Sequence, residues 1–284
     1  MIRHYLKVAF RNLWKYRAQS IISIAGLAVG FTCFSLATLW IRYEMTYDHF
    51  HRNAGQMYVL SKPDNINPNE YQRINPYPLA GYLKKTFPEI INACNIIKNK
   101  WPVKVDNAEV ILTGARIDSA FLDMFDIKII EGSPDFTISG SAKVAVTEEK
   151  GRELFGDESA LGKTISVSGA ERTICAIVSG YSKHSNYPFE MLEAYRVEDN
   201  WNASYYETLI ELAPGTDAER FAEKLHEHTI KGGGITIKGI KMTPLTSLRY
   251  EDPIGTSNIK FHHIVLFCLS GALVILCSLF NYLT

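Results

Sequence analysis

The nine residues Gly156-Asp-Glu-Ser-Ala-Leu-Gly162-Lys163-Thr164 form the most chemically suggestive stretch of the 284-residue chain. A phosphate-cradling loop has the pattern G-x-x-x-x-G-K-[ST], set between a strand and a helix so that backbone amides wrap the phosphates. Here five residues separate the glycines, the residues before them read as a helix and those after as a strand. Spacing and element order are both wrong, and nucleotide binding is rejected. Histidines come in close pairs: His49 and His51, His226 and His228, His262 and His263. Metal ligands on one helical face need a spacing of three or four, whereas a spacing of two points the side chains apart. No metal is expected.

Of the five cysteines, Cys33, Cys268 and Cys277 lie in apolar runs, and Cys94 and Cys175 lie on β-like runs of the polar part. That last pair is compatible with a disulfide in an oxidising compartment or with two buried thiols. There is no CxxC, no G-x-S-x-G elbow and no distinctive pair of carboxylates. The sequence carries no catalytic signature. Neither an enzyme nor a cofactor is expected.

The elements that carry these residues are organised by a membrane. The chain holds 30 Lys+Arg and 30 Asp+Glu, and this zero balance argues against nucleic acid, which calls for a basic surplus. The neutrality is made of unlike pieces. Residues 1–43 contain no acid, and every acid falls between Glu44 and Asp252. Ile21–Ile41 is 21 residues without a charge. At about 1.5 Å per residue it spans roughly 30 Å, the thickness of a bilayer's hydrocarbon core. A signal peptide has a shorter apolar region and a small-residue cleavage site, whereas this run exits through Trp40-Ile41-Arg42-Tyr43. It reads as an uncleaved transmembrane helix. A second uncharged run, Ile264–Leu283, stops one residue before the end, so the chain reads as the front part of something longer.

The basic opening Met1–Arg17 places that end in the cytoplasm and the loop from Arg42 to His263 outside, on the far side of the membrane from ATP. Arg3, Lys7, Arg11 and Lys15 recur every four residues, with Leu6, Phe10, Leu13 and Trp14 on another side. That pattern predicts a cationic amphipathic helix lying in the lipid interface. Gly26 and Gly30 form a small-xxx-small pattern that permits close helix approach within a bundle.

The outer part reads as α+β. Strands are expected at Gln56–Ser61, Ile90–Ile97, Val103–Val105, Val110–Thr113, Lys143–Thr147, Thr164–Val167, Thr173–Val178, Thr208–Leu212 and Ile235–Met242. Hairpin turns are expected at Asp106-Asn107 and Ser168-Gly169. Helices are expected at Leu79–Phe87, Ser119–Phe125, Glu148–Phe155 and Asp217–His228, the last opened by a capping box of Thr216 and Glu219. The division is residues 1–17 as basic helix, 18–43 as first span, 44–262 as outer domain and 263–284 as second span. Length suggests two subdomains in the outer part.

Four stretches resemble the MacB/FtsX family of ABC transporter permeases, in the form with a MacB-type periplasmic core domain common in Bacteroidota. They are Phe10-Arg-Asn-Leu13 through Gly26-Leu-Ala-Val-Gly30, Glu44-Met-Thr-Tyr-Asp-His-Phe-His51 with Asn53-Ala54 and Met57-Tyr58, Phe121–Gly132, and Val144–Glu148 with Leu154-Phe-Gly156 and Leu161–Thr164. The resemblance implies that the false phosphate loop is a structural turn. It implies a non-catalytic inner-membrane permease subunit with its domain in the periplasm, divided into porter-like and inserted sabre-like subdomains. A separate ABC ATPase subunit would supply ATP hydrolysis, and helices continuous with the spans would transmit its closure to the periplasmic domain. The implied outcome is efflux of a peptide or drug, or extraction of a lipoprotein. The implied partners are a second permease subunit and membrane lipid, with a periplasmic adaptor and an outer-membrane factor left open. On topology alone, a membrane-anchored extracytoplasmic sensor is the alternative.

Overall fold

The computed structural model describes residues 11, 14–64, 66–105, 108–181, 183–195, 197, 199–251 and 261–283. Its contacts divide the chain into two units, Met1–Thr46 with Ser257–Thr284, and Tyr47–Thr256.

The first unit rests on two helices, α1 (Arg17–Met45) and a last helix that closes the chain (Phe261–Leu283). Twenty-nine residues at about 1.5 Å each give α1 a length of about 43 Å, longer than a bilayer core. Its most apolar window has mean hydropathy 1.9 and is only 17 % buried, which is unlike the core helix of a soluble fold. The closing helix carries a shorter apolar stretch, Val265–Cys277, and among the described residues α1 alone has the length and hydropathy of a span. The buried positions of α1 are Ser23, Gly30, Ala37 and Glu44, a repeat of seven that keeps small side chains on one line for three of its four members. A Cβ on Gly30 would lie 3.0 Å from Val274 Cγ1, and one on Gly271 would lie 3.2 Å from Phe34 Cα. Trp40 meets Phe267 edge to face at 6.2 Å. Partner numbers fall as α1 numbers rise, so the two helices run antiparallel.

In the second unit the strands are β1 (Met57–Pro63), β2 (Tyr71–Gln72), β3 (Ile74–Pro76), β4 (Ile90–Val105), β5 (Ala108–Ile117), β6 (Ile129–Gly132) and β7 (Lys143–Thr147). They continue as β8 (Thr164–Val167), β9 (Ala170–Val178), β10 (Met191–Ala194), β11 (Ser204–Leu212), β12 (Ile230–Gly232), β13 (Ile235–Ile237) and β14 (Lys241–Pro244). Between them lie α2 (Pro78–Thr86), α3 (Ser119–Met124), α4 (Glu148–Phe155) and α5 (Ala218–Glu227), which makes the closing helix α6. Twelve strands form one sheet in the order β14-β1-β11-β4-β5-β10-β7-β9-β6, with β2 pairing β1, β3 pairing β11 and β8 pairing both β4 and β9, while β12 and β13 pair separately. The β5–β10 and β7–β9 pairs are parallel and the rest antiparallel, so the fold is mixed.

Three apolar clusters pack this sheet. One centres on Phe121, Phe125, Tyr187 and Leu209, a second lies under α2 and α5 around Leu83, Phe87 and Phe221, and a third surrounds Trp101, Ile165, Ile174 and Met191. Several elements differ from expectation for physical reasons. The runs Ile90–Ile97 and Val103–Val105 are one 16-residue strand, because the polar Lys98–Lys100 stays exposed while the backbone ladder to β5 continues through it. Ile235–Met242 breaks into β13 and β14 at Gly239, whose φ of +79° interrupts the ladder. The cap of α5 is Asp217, which accepts from the Arg220 N–H at 3.1 Å, not the expected Thr216. The turn Ser168-Gly169 has both φ values positive, as a tight hairpin between β8 and β9 requires. The Asp106-Asn107 turn lies outside the described residues.

Candidate functional site

The segment Tyr47–Tyr58, which follows α1 after the single residue Thr46, buries Tyr47, Asp48, His51, Ala54, Met57 and Tyr58 in the domain. Asp48 is fully buried and has a φ of 59°, a conformation that Asp tolerates through its short polar side chain. Its Oδ2 accepts from the Asn186 backbone N–H at 3.0 Å and from Asn186 Nδ2 at 2.6 Å, and its Oδ1 accepts from the Ser185 hydroxyl. Its own N–H donates to the His184 carbonyl at 3.3 Å. Tyr47 stacks edge-on against His184 at 4.0 Å, and the Arg249 guanidinium lies 4.0 Å from the centre of the Tyr47 ring.

His51 stands 3.6 Å from Asp48 Oδ1 with its ring among Phe50, Phe125 and Tyr181, and its Nε2 has no hydrogen-bond partner among the described residues. The Tyr181 hydroxyl donates to the Tyr187 carbonyl, and burial, then the Asp48 charge, hold it well above its ordinary pKa. Tyr187 OH donates to Glu207 at 2.8 Å, and its pKa is likewise raised, chiefly by burial and then by that carboxylate. Further on, Asn53 Nδ2 donates to the buried Glu211 at 2.6 Å, Glu211 also accepts from Asn92 at 2.8 Å, and Ala54 and Met57 join the core.

The arrangement is a clamp. A buried carboxylate and a ring of aromatics fix the first residues after a long helix to the loop 183–187 and to strands β1, β4 and β11. Nothing in it resembles a nucleophile with its base. No group of three His, Cys, Asp or Glu that could hold a metal occurs among the described residues.

The residues singled out in the sequence fall as follows. Gly30 is buried against α6, and Gly26 is half-buried. Arg11 is helical, and Lys15 is helical with its ammonium 5.2 Å from the Tyr16 ring centre, whereas Arg3 and Lys7 lie outside the described residues. All five cysteines are free; Cys94 is buried in the core, its thiol pushed well up by that burial, and Cys175 is half-buried. The false phosphate loop runs from α4 into β8, helix before strand, with Lys163 paired to Glu158 and laid over Phe155. His228 caps the end of α5 and is half-buried, with Tyr82 OH at 3.0 Å.

Sequence reasoning missed the other half of the clamp. Ser185 lies 137 residues from Asp48, and the loop that carries it shows only the turn-forming residues Gly180, Ser185, Asn186 and Pro188.

These features define a class: a mixed α/β domain whose first residues, Tyr47–Tyr58, are fixed into it by a buried carboxylate, in a chain that also carries a long apolar helix. Residues 20–228 match the family of the MacB-like periplasmic core domain, and the chain belongs to that family. The structure is similar to a domain of a putative permease protein from Porphyromonas gingivalis (TM-score 0.55, 19 % identity, covering 68 % of this chain and 91 % of that one). It is also similar to the periplasmic region of MacB from Actinobacillus actinomycetemcomitans (TM-score 0.50, 12 % identity, 69 % and 92 % covered). A third likeness is the extracellular domain of the noncanonic ABC-type transporter YknZ from Gram-positive bacteria (TM-score 0.50, 14 % identity, 66 % and 99 % covered). At these identities the likeness is one of fold. No curated protein matches the sequence. The family is that of ABC transporter permease components, which are generally non-catalytic and work with ABC ATPase partners.

Proposed function

We propose that the chain is a permease subunit of an ABC-type export or mechanotransmission complex, set in the inner membrane with Tyr47–Thr256 in the periplasm. A separate ATPase subunit hydrolyses ATP on the cytoplasmic side, and the permease works as a dimer. Both α1 and α6 cross the membrane, and the basic helix before α1 lies on anionic lipid. The half around α2 and α5 is the porter-like subdomain and the half around β7, β8 and β9 the sabre-like one, with β4 and β5 running through both. The cargo is a peptide, drug or lipoprotein, and an adaptor with an outer-membrane factor completes the path.

The observation that carries this reading is the clamp at Asp48. A loose linker after α1 would absorb any movement of the helix end. A buried carboxylate held by Ser185 and Asn186 passes that movement into the sheet instead. The test is purification of the protein from its own membranes in non-ionic detergent. An ATPase subunit is expected in stoichiometric amount, with ATP turnover in the complex. A protein that purifies alone, from a reading frame that leads into a cytoplasmic signalling domain, overturns the proposal in favour of a sensor.

A further inference from the structure

On the sheet's β5-β10-β7-β9 side, Glu193 of β10 sits between two arginines from different strands. Its Oε1 accepts from Arg116 Nε at 2.7 Å and its Oε2 from Arg172 Nε at 3.1 Å, and the residue is 4 % exposed. The register places Arg116 of β5 directly beside Glu193, and Arg172 comes from β9, beyond β7. Over these three side chains opens a cavity of about 510 Å³, closed on its other side by the turn Ile138–Ala142 and by Val197. Lys143 also lines it, and its ammonium pairs with Asp135 at 2.5 Å.

Among the described residues the charges do not cancel. Arg116, Arg172 and Lys143 face Glu193 and Asp135, which leaves one positive charge without a carboxylate. Glu193 takes the Nε–H of each guanidinium, and Arg172 gives one terminal N–H to the Glu171 carbonyl at 3.0 Å. Among the described residues, terminal N–H groups of both arginines are left over, and their planar forks suit a second oxyanion. The buried carboxylate holds both guanidiniums in place, so a ligand does not have to order them. Arg116 is further fixed over the Trp101 ring at 5.2 Å. The rim is of the opposite character: Ile138 is 57 % exposed and Val197 51 % exposed. Two such apolar residues beside a cationic floor gain nothing from a bare ion and ask for a hydrocarbon portion.

We infer that this cavity binds a small amphiphilic carboxylate, its headgroup on Arg116 and Arg172 and its apolar chain along Ile138 and Val197. The inference does not depend on the permease reading, since it concerns a site within the domain.

The test is calorimetric titration of the full chain in non-ionic detergent, against a detergent blank, with octanoate, octanamide and acetate as probes. Octanoate is expected to bind saturably at one site per chain, and octanamide and acetate at least ten-fold more weakly. Arg116→Gln and Arg172→Gln are each expected to weaken octanoate at least ten-fold, with unchanged circular dichroism. Ile138→Ser combined with Val197→Ser alters only exposed side chains and keeps the test open if an arginine variant misfolds; it too must weaken octanoate. The proposal is overturned if octanoate does not saturate, if octanamide or acetate binds as tightly, or if folded variants bind octanoate as the parent does.

Discussion

Asp48 concentrates in one side chain what the clamp requires. Replacing it with Ala orphans the Ser185 hydroxyl and two Asn186 donors and leaves at positive φ a residue that visits this region less readily than Asp. Buried donors deprived of a charged acceptor cost about 3 kcal/mol or more in total, and the backbone adds about 1 kcal/mol. Asp48→Asn keeps the backbone preference and one acceptor oxygen but turns an amide NH2 towards donors, so a loss of about 1–3 kcal/mol is expected. Thermal melting of the purified chain should rank parent, Asp48→Asn and Asp48→Ala in that order. Glu190 gives a pH signature. Burial alone would push its carboxyl up, but the Lys150 ammonium at 2.9 Å and the Thr113 N–H at 2.8 Å outweigh it and hold the pKa below 4.5. A depressed folded pKa means that the pair's stabilisation is present above about pH 4.5 and is lost as pH falls through the folded value. Glu190→Gln should therefore be less stable than the parent at pH 7, and denaturant titrations should show the gap closing towards pH 3. A gap independent of pH would refute the assignment. At this scale the residues Tyr47, Asp48, His51 and Asn53 were legible as a motif. Their partners were not, because a carboxylate's choice of a loop 137 residues away leaves no local pattern.

At the scale of elements, the α1–α6 pair depends on side chains that are missing. A Cβ at Gly30 meets Val274 and Ile275 atoms at 3.0–3.2 Å, so Ala needs a shift of a few tenths of an ångström and Leu cannot be seated without parting the helices. Gly30→Leu is expected to abolish crosslinking between cysteines engineered into α1 and α6, while Gly30→Ala preserves it; equal crosslinking in both would argue against close approach at this point. A second glycine works within the sheet. The Trp101 ring of β4 covers Gly114 of β5, where a Cβ would fall 2.3 Å from the ring. Gly114→Ala should cost about 1–3 kcal/mol as overpacking, and combining it with Trp101→Leu should recover part of that loss, read from chemical denaturation. The same cross-strand contact explains why β4 was expected as two pieces. The ladder to β5 and the burial of Trp101 hold the polar stretch Lys98–Lys100 in the strand, and neither is visible in a run of residues read singly. By contrast β7, β8 and α4 were legible to the residue, because short runs rich in β-branched residues and the acids that open α4 are local signals. β10 was not, since its four residues Met-Leu-Glu-Ala favour a helix and only pairing with β5 and β7 makes them a strand.

For the whole molecule the ordering principle is charge. No acid precedes Glu44, and five basic residues precede the apolar run, of which Arg11, Lys15 and Arg17 are described as helical. Orientation follows the Lys/Arg bias near the end of a span, whereas a folded domain crosses with little regard to its own charge. On the proposed topology the unit Tyr47–Thr256 lies across the membrane from the opening residues. Reversing Arg11, Lys15 and Arg17 to Glu removes three of the five positive charges and puts acids in their place. It leaves the sheet, the clamp and the Gly30 seam untouched, so any effect belongs to topology rather than to folding. In protease-treated spheroplasts the domain of the parent should be digested in every molecule. In the triple variant a protected fraction should appear, at an unchanged total amount of membrane-bound chain, because the uncharged run Ile21–Ile41 still matches the roughly 30 Å bilayer core. Single reversals should give smaller protected fractions. If the triple variant remains fully digested, the bias of the first residues does not set the orientation, and the uncharged length of α1 with its Trp40–Arg42 exit must do so instead.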